Sequence, residues 1–150
     1  MRAGRRLFIK GGLAFVALMS LPKVLFAGAW PQKAFQSTAP REALTELFGT
    51  DQTTPSGEIT LGAPEIAENG AVVPVSVKTT LHGVESISIV VEKNPRPLAV
   101  TFEFPPESLP NVACRIKMGE TSKVMAVVKT NDGIFSATRE VKVTIGGCGG

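Results

Sequence analysis

The chain has 150 residues, of which 43% are hydrophobic and 19% charged, and its mean hydropathy is +0.18. This apolar content excludes a disordered chain, and the length is enough for one domain with a packed core. The first 29 residues hold five Lys or Arg and no Asp or Glu, so the formal net charge falls from +3 to 11 − 13 = −2 without them. We therefore expect neither a nucleic-acid partner nor binding to a membrane.

The N-terminal residues 1–29 have the features of an export signal. Arg5 and Arg6 precede a short apolar run, and Ala27 and Ala29 have the small-x-small spacing of a cleavage site. The pattern predicts a twin-arginine signal that is cleaved after Ala29, and therefore a protein exported in folded form to the periplasm. A membrane anchor is disfavoured, because the apolar run is interrupted before it reaches the ~20 residues that span a bilayer.

The segment after the signal, 30–37, is polar without a clear period and is predicted to be an irregular arm. A short amphipathic helix is predicted at 40–49, where Pro40 suits the first turn and Gly49 the end. A linker at 50–57 follows the helix. The apolar residues with helical spacing are Leu44, Leu47 and Phe48.

From residue 58 onward the sequence consists of short alternating or β-branched runs separated by turn residues. This spacing predicts an all-β sandwich of two packed sheets, with its strongest hairpin signal at Asn131-Asp132-Gly133. The predicted strands are 58–61, 71–78, 86–92, 98–104, 112–118, 123–130 and 134–145. The predicted division is signal peptide 1–29, N-terminal arm and helix 30–57, β-sandwich carrier domain 58–145 and C-terminal arm 146–150.

The first of the two cysteines, Cys114, lies inside a predicted strand. Val112, Cys114 and Ile116 share one side of this strand by the period of two, which places Cys114 on its apolar face. A free cysteine there acts as a small buried hydrophobic residue. A disulfide with Cys148 stays open as an alternative in an oxidising compartment, although the tail would have to fold back onto the core face.

The second cysteine, Cys148, lies three residues beyond the last predicted strand, between two pairs of glycines. Glycine has no side chain that could shield the thiol, so a flexible arm is predicted, with a reach of about 10 Å at ~3.3–3.6 Å per residue. A thiolate forms mixed disulfides and persulfides and leaves again when a second nucleophile attacks. Cys148 is therefore predicted to hold a cargo covalently and reversibly. The glycines of this swinging arm are Gly146, Gly147, Gly149 and Gly150.

Catalysis within the chain is not expected. His82 is the only histidine, and its place between two predicted strands favours an ordinary polar surface residue. The sequence has no nucleophile with a neighbouring base and no Cys/His cluster with the spacing of metal ligands. We therefore predict no catalytic residue, no metal site and no cofactor.

The tail Gly146-Gly147-Cys148-Gly149-Gly150 is similar to that of the SoxY family, the sulfur-carrier subunits of the bacterial thiosulfate-oxidising Sox system. The similarity extends along nearly the whole chain after the signal. The segments that carry it are 58–64, 66–77, 92–102, 115–122 and 140–150. A twin-arginine signal also fits this family, whereas a second cysteine at 114 is not part of its motif.

The resemblance implies an immunoglobulin-like antiparallel β-sandwich and a carrier role for Cys148, to which thiosulfate would be coupled as an S-thiosulfonate. It further implies a heterodimer with a SoxZ subunit. The expected partners of that heterodimer are a c-type cytochrome that loads the thiol, a sulfate-releasing hydrolase and, in some organisms, a sulfur dehydrogenase. The only expected modification is a sulfur adduct, S-thiosulfonate or persulfide, on Cys148.

Two other functions remain as alternatives. Gly149-Gly150 has the form of a terminal diglycine whose carboxylate is activated to a thiocarboxylate. This activation needs ATP, which the compartment of an exported protein lacks. The other alternative is an exported immunoglobulin-like module for adhesion or scaffolding, in which Cys148 is incidental or forms an intermolecular disulfide. Prenylation is disfavoured, because it needs a cysteine fourth from the end and Cys148 is third.

Overall fold

The computed structural model describes residues 30–145. The predicted export signal at 1–29 and the predicted arm at 146–150 lie outside these residues. The described part contains two helices, α1 (Gln32–Gln36) and α2 (Pro40–Phe48), followed by nine strands. The strands are β1 (Thr54–Pro55), β2 (Ile59–Gly62), β3 (Ile66–Ala67), β4 (Val73–Thr79), β5 (Val84–Val91), β6 (Leu98–Glu103), β7 (Asn111–Ile116), β8 (Ser122–Thr130) and β9 (Gly133–Val143).

The strands form two sheets. The larger has the order β1-β9-β8-β5-β6, with β3 also beside β9, and the smaller has the order β2-β4-β7. All seven predicted strands have a counterpart, and the predicted hairpin joins β8 to β9, where Thr130 pairs with Gly133. The expected mainly β class with two sheets and a short helix is confirmed. Its immunoglobulin-like assignment stays a prediction.

The expectation of antiparallel pairing is confirmed for the seven predicted strands and wrong for two short additional pairings at β9. Strands β1 and β3 both pair with it in parallel, Thr54 opposite Phe135 and Ile66 opposite Lys142. Each of these strands has only two residues, too few to form an alternating pattern in the sequence. Strand β1 therefore lies in a segment that was predicted to be a linker.

The expectation of an irregular arm at 30–37 is also wrong, because helix α1 occupies most of this segment. Five residues are too few for a helix that is stable alone, so α1 depends on tertiary contacts. Ala34 is fully buried in an apolar cluster, and Phe35 packs against the same cluster. The Ser37 hydroxyl donates a hydrogen bond of 3.0 Å to the Lys33 carbonyl.

The main core lies between the two sheets. Ile87, Ile89 and Val91 alternate along β5 and are completely buried, as are Val73 and Val77 on β4. Because successive strand residues point to opposite faces, the other side of β5 is free to contact a further layer.

The helices form that further layer on the outer face of the large sheet. Val90 of β5 and Val127 of β8 are buried there against Ala43 and Leu44 of α2. Helix α2 begins with proline in its first turn and ends at Gly49, which has φ +76° and donates its N–H to the Thr45 carbonyl at 2.8 Å. Only glycine adopts this left-handed conformation without steric cost. The large sheet is thus buried on both faces.

Replacement of Ile89 by alanine should lower the free energy of unfolding by about 2–5 kcal/mol, because the side chain is fully buried between the sheets and leaves a cavity. The matched control is Leu109→Ala, at a side chain that is 87% exposed and should change stability by less than about 0.5 kcal/mol. Urea denaturation of both variants measures the difference. Equal effects would contradict the described core.

Candidate functional site

The site predicted from the sequence begins where the described residues end. After β9, Thr144 donates its N–H to the Ala67 carbonyl at 3.1 Å and its hydroxyl to the Glu68 carbonyl at 3.1 Å. The Ile145 carbonyl then accepts a hydrogen bond of 2.8 Å from the Gly70 N–H. The backbone of Thr144 and Ile145 is therefore fixed by the segment that follows β3.

The opposite side of the same strand end is held by the segment between β7 and β8. The Val143 N–H donates to the Thr121 hydroxyl at 2.9 Å. The Gly70 carbonyl accepts from the Met118 N–H at 2.7 Å, and the Met118 side chain is fully buried in the main core. We call residues 143–145 with these contacts the arm root. Through Gly70 and Met118 the arm root is connected to the core of the sandwich.

The segment that contains Met118 is fixed in turn by Asn94. Its amide nitrogen donates to the Lys117 carbonyl at 2.7 Å, and its amide oxygen accepts from the Gly119 N–H at 3.1 Å. Gly70 and Asn94 were not identified as site residues from the sequence. Their role at the arm root depends on pairing partners distant in sequence, for which no local signal exists.

The predicted carrier residue Cys148 and the glycines around it lie outside the described residues. Two residues, Gly146 and Gly147, separate Cys148 from Ile145, the last residue of the arm root. Their predicted roles as covalent carrier and swinging arm stay predictions.

Cys114 departs from its predicted full burial. It packs against the main core as expected, but it is only half-buried, because among residues 30–145 β7 pairs with β4 alone and forms an edge of the small sheet. Within the same residues Cys114 is a free thiol, and burial raises the pKa of this thiol above its ordinary value. It also lines an open groove of about 490 Å³ together with Gly62, Pro74 and Ser76.

Other sites considered from the sequence are not assembled among residues 30–145. His82 is exposed in the connection between β4 and β5. No group of three or more His, Cys, Asp or Glu within this range could hold a metal ion. None of the helices described here is long and apolar enough to cross a membrane.

These features define the class of the protein. It is a β protein with two sheets, in which hydrogen bonds fix the start of the C-terminal segment at the end of the final strand. A family model described as "Sulfur oxidation protein SoxY" matches residues 44–148, which is well over half of the chain and includes Cys148. The chain therefore belongs to the SoxY family. This membership gives the chain a role in sulfur oxidation, as a sulfur carrier that acts together with other Sox proteins.

A solved structure agrees with this assignment. The sulfur carrier protein SoxY from Chlorobium limicola f thiosulfatophilum is 41% identical, with a TM-score of 0.63, and the match covers 69% of this chain and 94% of that chain. A lytic polysaccharide monooxygenase from Jonesia denitrificans matches at 16% identity and a TM-score of 0.39, covering 69% and 66% of the two chains, and this likeness is too weak to carry an argument. No curated protein matches significantly.

The Thr121 hydroxyl offers a test of the arm root. In a Thr121→Val variant the Val143 N–H loses its acceptor, so this amide should exchange its hydrogen faster and the protein should lose about 1–3 kcal/mol of stability. Thr60→Val on β2 is the control, since Thr60 is exposed and its hydroxyl makes no hydrogen bond in the described structure. Hydrogen exchange followed by NMR measures both. Unchanged exchange at Val143 would refute the anchoring contact.

The raised pKa of Cys114 offers a second test. In a Cys148→Ser variant, where Cys114 is the remaining thiol, the alkylation rate with iodoacetamide should have a higher pH midpoint in the folded protein than in the same variant unfolded in urea, because burial disfavours the thiolate. The rate at pH 8 should therefore be lower in the folded protein than in the unfolded control. A folded-state midpoint at or below that of the unfolded variant would contradict the burial of this thiol.

Proposed function

We propose that the chain is a non-catalytic carrier that binds sulfur intermediates of thiosulfate oxidation covalently through the Cys148 thiol. The observation that carries this proposal is the family match, which extends through Cys148, together with the 41% identity to a sulfur carrier protein. The anchored strand end supports it, because a rigid origin with a glycine-flanked cysteine three residues further suits presentation of a thiol to other proteins.

The chemistry of loading is an oxidation. The Cys148 thiol loses its proton and forms an S–S bond to the outer sulfur of thiosulfate, giving Cys–S–S–SO₃⁻. Two electrons leave the sulfur atoms in this step, and the proposed acceptors are c-type cytochrome haems, each of which takes one electron.

The chemistry of unloading is a hydrolysis. Water attacks the terminal sulfonate sulfur, sulfate and a proton are released, and a persulfide, Cys–S–SH, remains on the carrier. A metal-dependent hydrolase is the proposed catalyst, and a sulfur dehydrogenase would oxidise the remaining sulfur in organisms that have one. Cys148 holds the cargo throughout, and the catalytic groups belong to the partners.

The carrier is proposed to work as a heterodimer with a SoxZ subunit in the periplasm. The predicted twin-arginine signal at 1–29 supports this location, because the route exports folded proteins and can carry a bound subunit that has no signal of its own.

Cys148→Ser should abolish growth-linked thiosulfate oxidation, because serine cannot form the S–S bond to thiosulfate. Cys114→Ser is the matched control and should retain the activity, since Cys114 lies in the edge strand of the small sheet. Intact-mass analysis of protein from thiosulfate-grown cells should find sulfur-containing adducts confined to the C-terminal peptide with Cys148.

The same variants separate the proposal from its alternatives. A diglycine carrier would keep its activity in Cys148→Ser and lose it when Gly150 is removed. A scaffold would be unaffected by deletion of residues 146–150. Normal thiosulfate oxidation in Cys148→Ser would overturn the proposed function.

A further inference from the structure

The position of Cys148 limits how far a partner can be from the sandwich. Cys148 is the third residue after Ile145, and a fully extended chain covers at most ~3.3–3.6 Å per residue, so the Cys148 backbone lies within about 10 Å of Ile145. An enzyme that encloses this thiol must therefore bring its own surface against the arm root. The residues around Ile145 then form part of the contact, whatever the enzyme's fold.

Three large apolar side chains are exposed around the arm root. Ile145 is 68% exposed, Ile66 is 54% exposed and Val72 is 52% exposed. All three belong to the arm root or to the segments bonded to it. Ile66 pairs with Lys142 of β9, and Val72 lies two residues after Gly70, whose N–H binds the Ile145 carbonyl. They account for three of the five large hydrophobic side chains found exposed between residues 30 and 145.

Local folding requirements do not explain this exposure. Ala67, the neighbour of Ile66 on β3, is buried, so alternation sends the Ile66 side chain outward. Val73, which follows Val72, is likewise fully buried as the first residue of β4. A polar side chain at position 66 or 72 would be equally compatible with the fold. Exposed apolar side chains grouped in one place are typical of a surface that binds another protein.

We propose that Ile66, Val72 and Ile145 form an apolar collar that docks the enzymes acting on Cys148, against an apolar rim at the mouth of each enzyme's cleft. The proposal rests on the proposed carrier function and adds the surface by which that function is delivered. A permanently bound subunit is a poorer occupant of the collar. Within a reach of about 10 Å, such a subunit would fill the space that an enzyme needs in order to enclose the thiol.

The test compares a collar variant, Ile66→Thr, Val72→Thr and Ile145→Thr combined, with the control Leu109→Thr. Leu109 is 87% exposed and lies in the connection between β6 and β7, near the β8–β9 turn at the opposite end of β9 from the arm root. Threonine keeps the β-branched shape and removes apolar surface. Each protein is purified from the periplasm with any subunit that accompanies it, and Cys148→Ser is included.

The measurement is the rate of thiosulfate oxidation as each carrier is added to a periplasmic extract from thiosulfate-grown cells that lack this chain. The collar variant should need at least about tenfold more carrier for half-maximal rate, with little change in maximal rate, because docking weakens while the thiol chemistry stays the same. Its Cys148 should react with iodoacetamide as fast as in the unchanged protein, and Leu109→Thr should behave like that protein. The single variant Ile145→Thr, placed beyond the last strand, should show part of the effect.

Two results would overturn the collar and leave the carrier function intact. One is an unchanged half-saturating concentration for the collar variant. The other is loss of the accompanying subunit from that variant, which would make the collar a subunit interface. Activity of Cys148→Ser would be a different failure, because it would remove the proposed function itself.

Discussion

Strand β9 is hydrogen-bonded to other strands on both of its edges, and the position of the arm root in the fold depends on this pairing. Strand β8 covers one edge from Gly133 to Val141, while β1 and β3 pair with the other edge near its two ends. A strand paired on both sides leaves few backbone groups free and resists local opening. The described chain therefore ends at Ile145, two residues beyond a strand that pairs with three others.

The large sheet can hold this strand firmly because both of its faces are covered. The small sheet packs on one face and the two helices on the other, so β5 and β8 are buried on both sides along most of their length. Burial of this kind provides the main stabilisation of a domain of this size. In the small sheet, by contrast, β2 and β7 each pair on one side only within the part of the chain that the structure describes, and β7 leaves Cys114 half-exposed.

The sequence allowed prediction of the features that depend on local periodicity and turn chemistry. Seven strands, helix α2 and the β8–β9 hairpin were found because alternation, a closing glycine and Asn131-Asp132-Gly133 each act over a few residues. Helix α1 and the two-residue strands were missed, since only distant partners stabilise them. The burial of Cys114 was overestimated for a related reason: a period of two identifies the face of a strand, but it does not identify an edge strand.

The candidate site likewise has one part that the sequence predicts and one part that it does not predict. Cys148 could be predicted as the carrier residue from its glycine neighbours, because the chemistry of a thiol depends on the residue itself, and this role stays a prediction. The arm root could not, since it depends on contacts of Val143 with Thr121 and of Ile145 with Gly70, which are separated by 22 and 75 residues. Long-range hydrogen bonds of this kind have no sequence motif. They become visible only with the fold.

The hydrogen bond between Gly70 and Ile145 also has a kinetic consequence. It gives the segment beyond it a fixed starting point, so that a carrier thiol at Cys148 is confined to a volume with a radius of about 10 Å. Under the proposed carrier function, the thiol would meet the active site of a docked partner at an effective concentration in the millimolar range or above, as for other short tethers. Transfer of sulfur within the docked complex would then be independent of how much carrier the compartment contains, and only the docking step would depend on it.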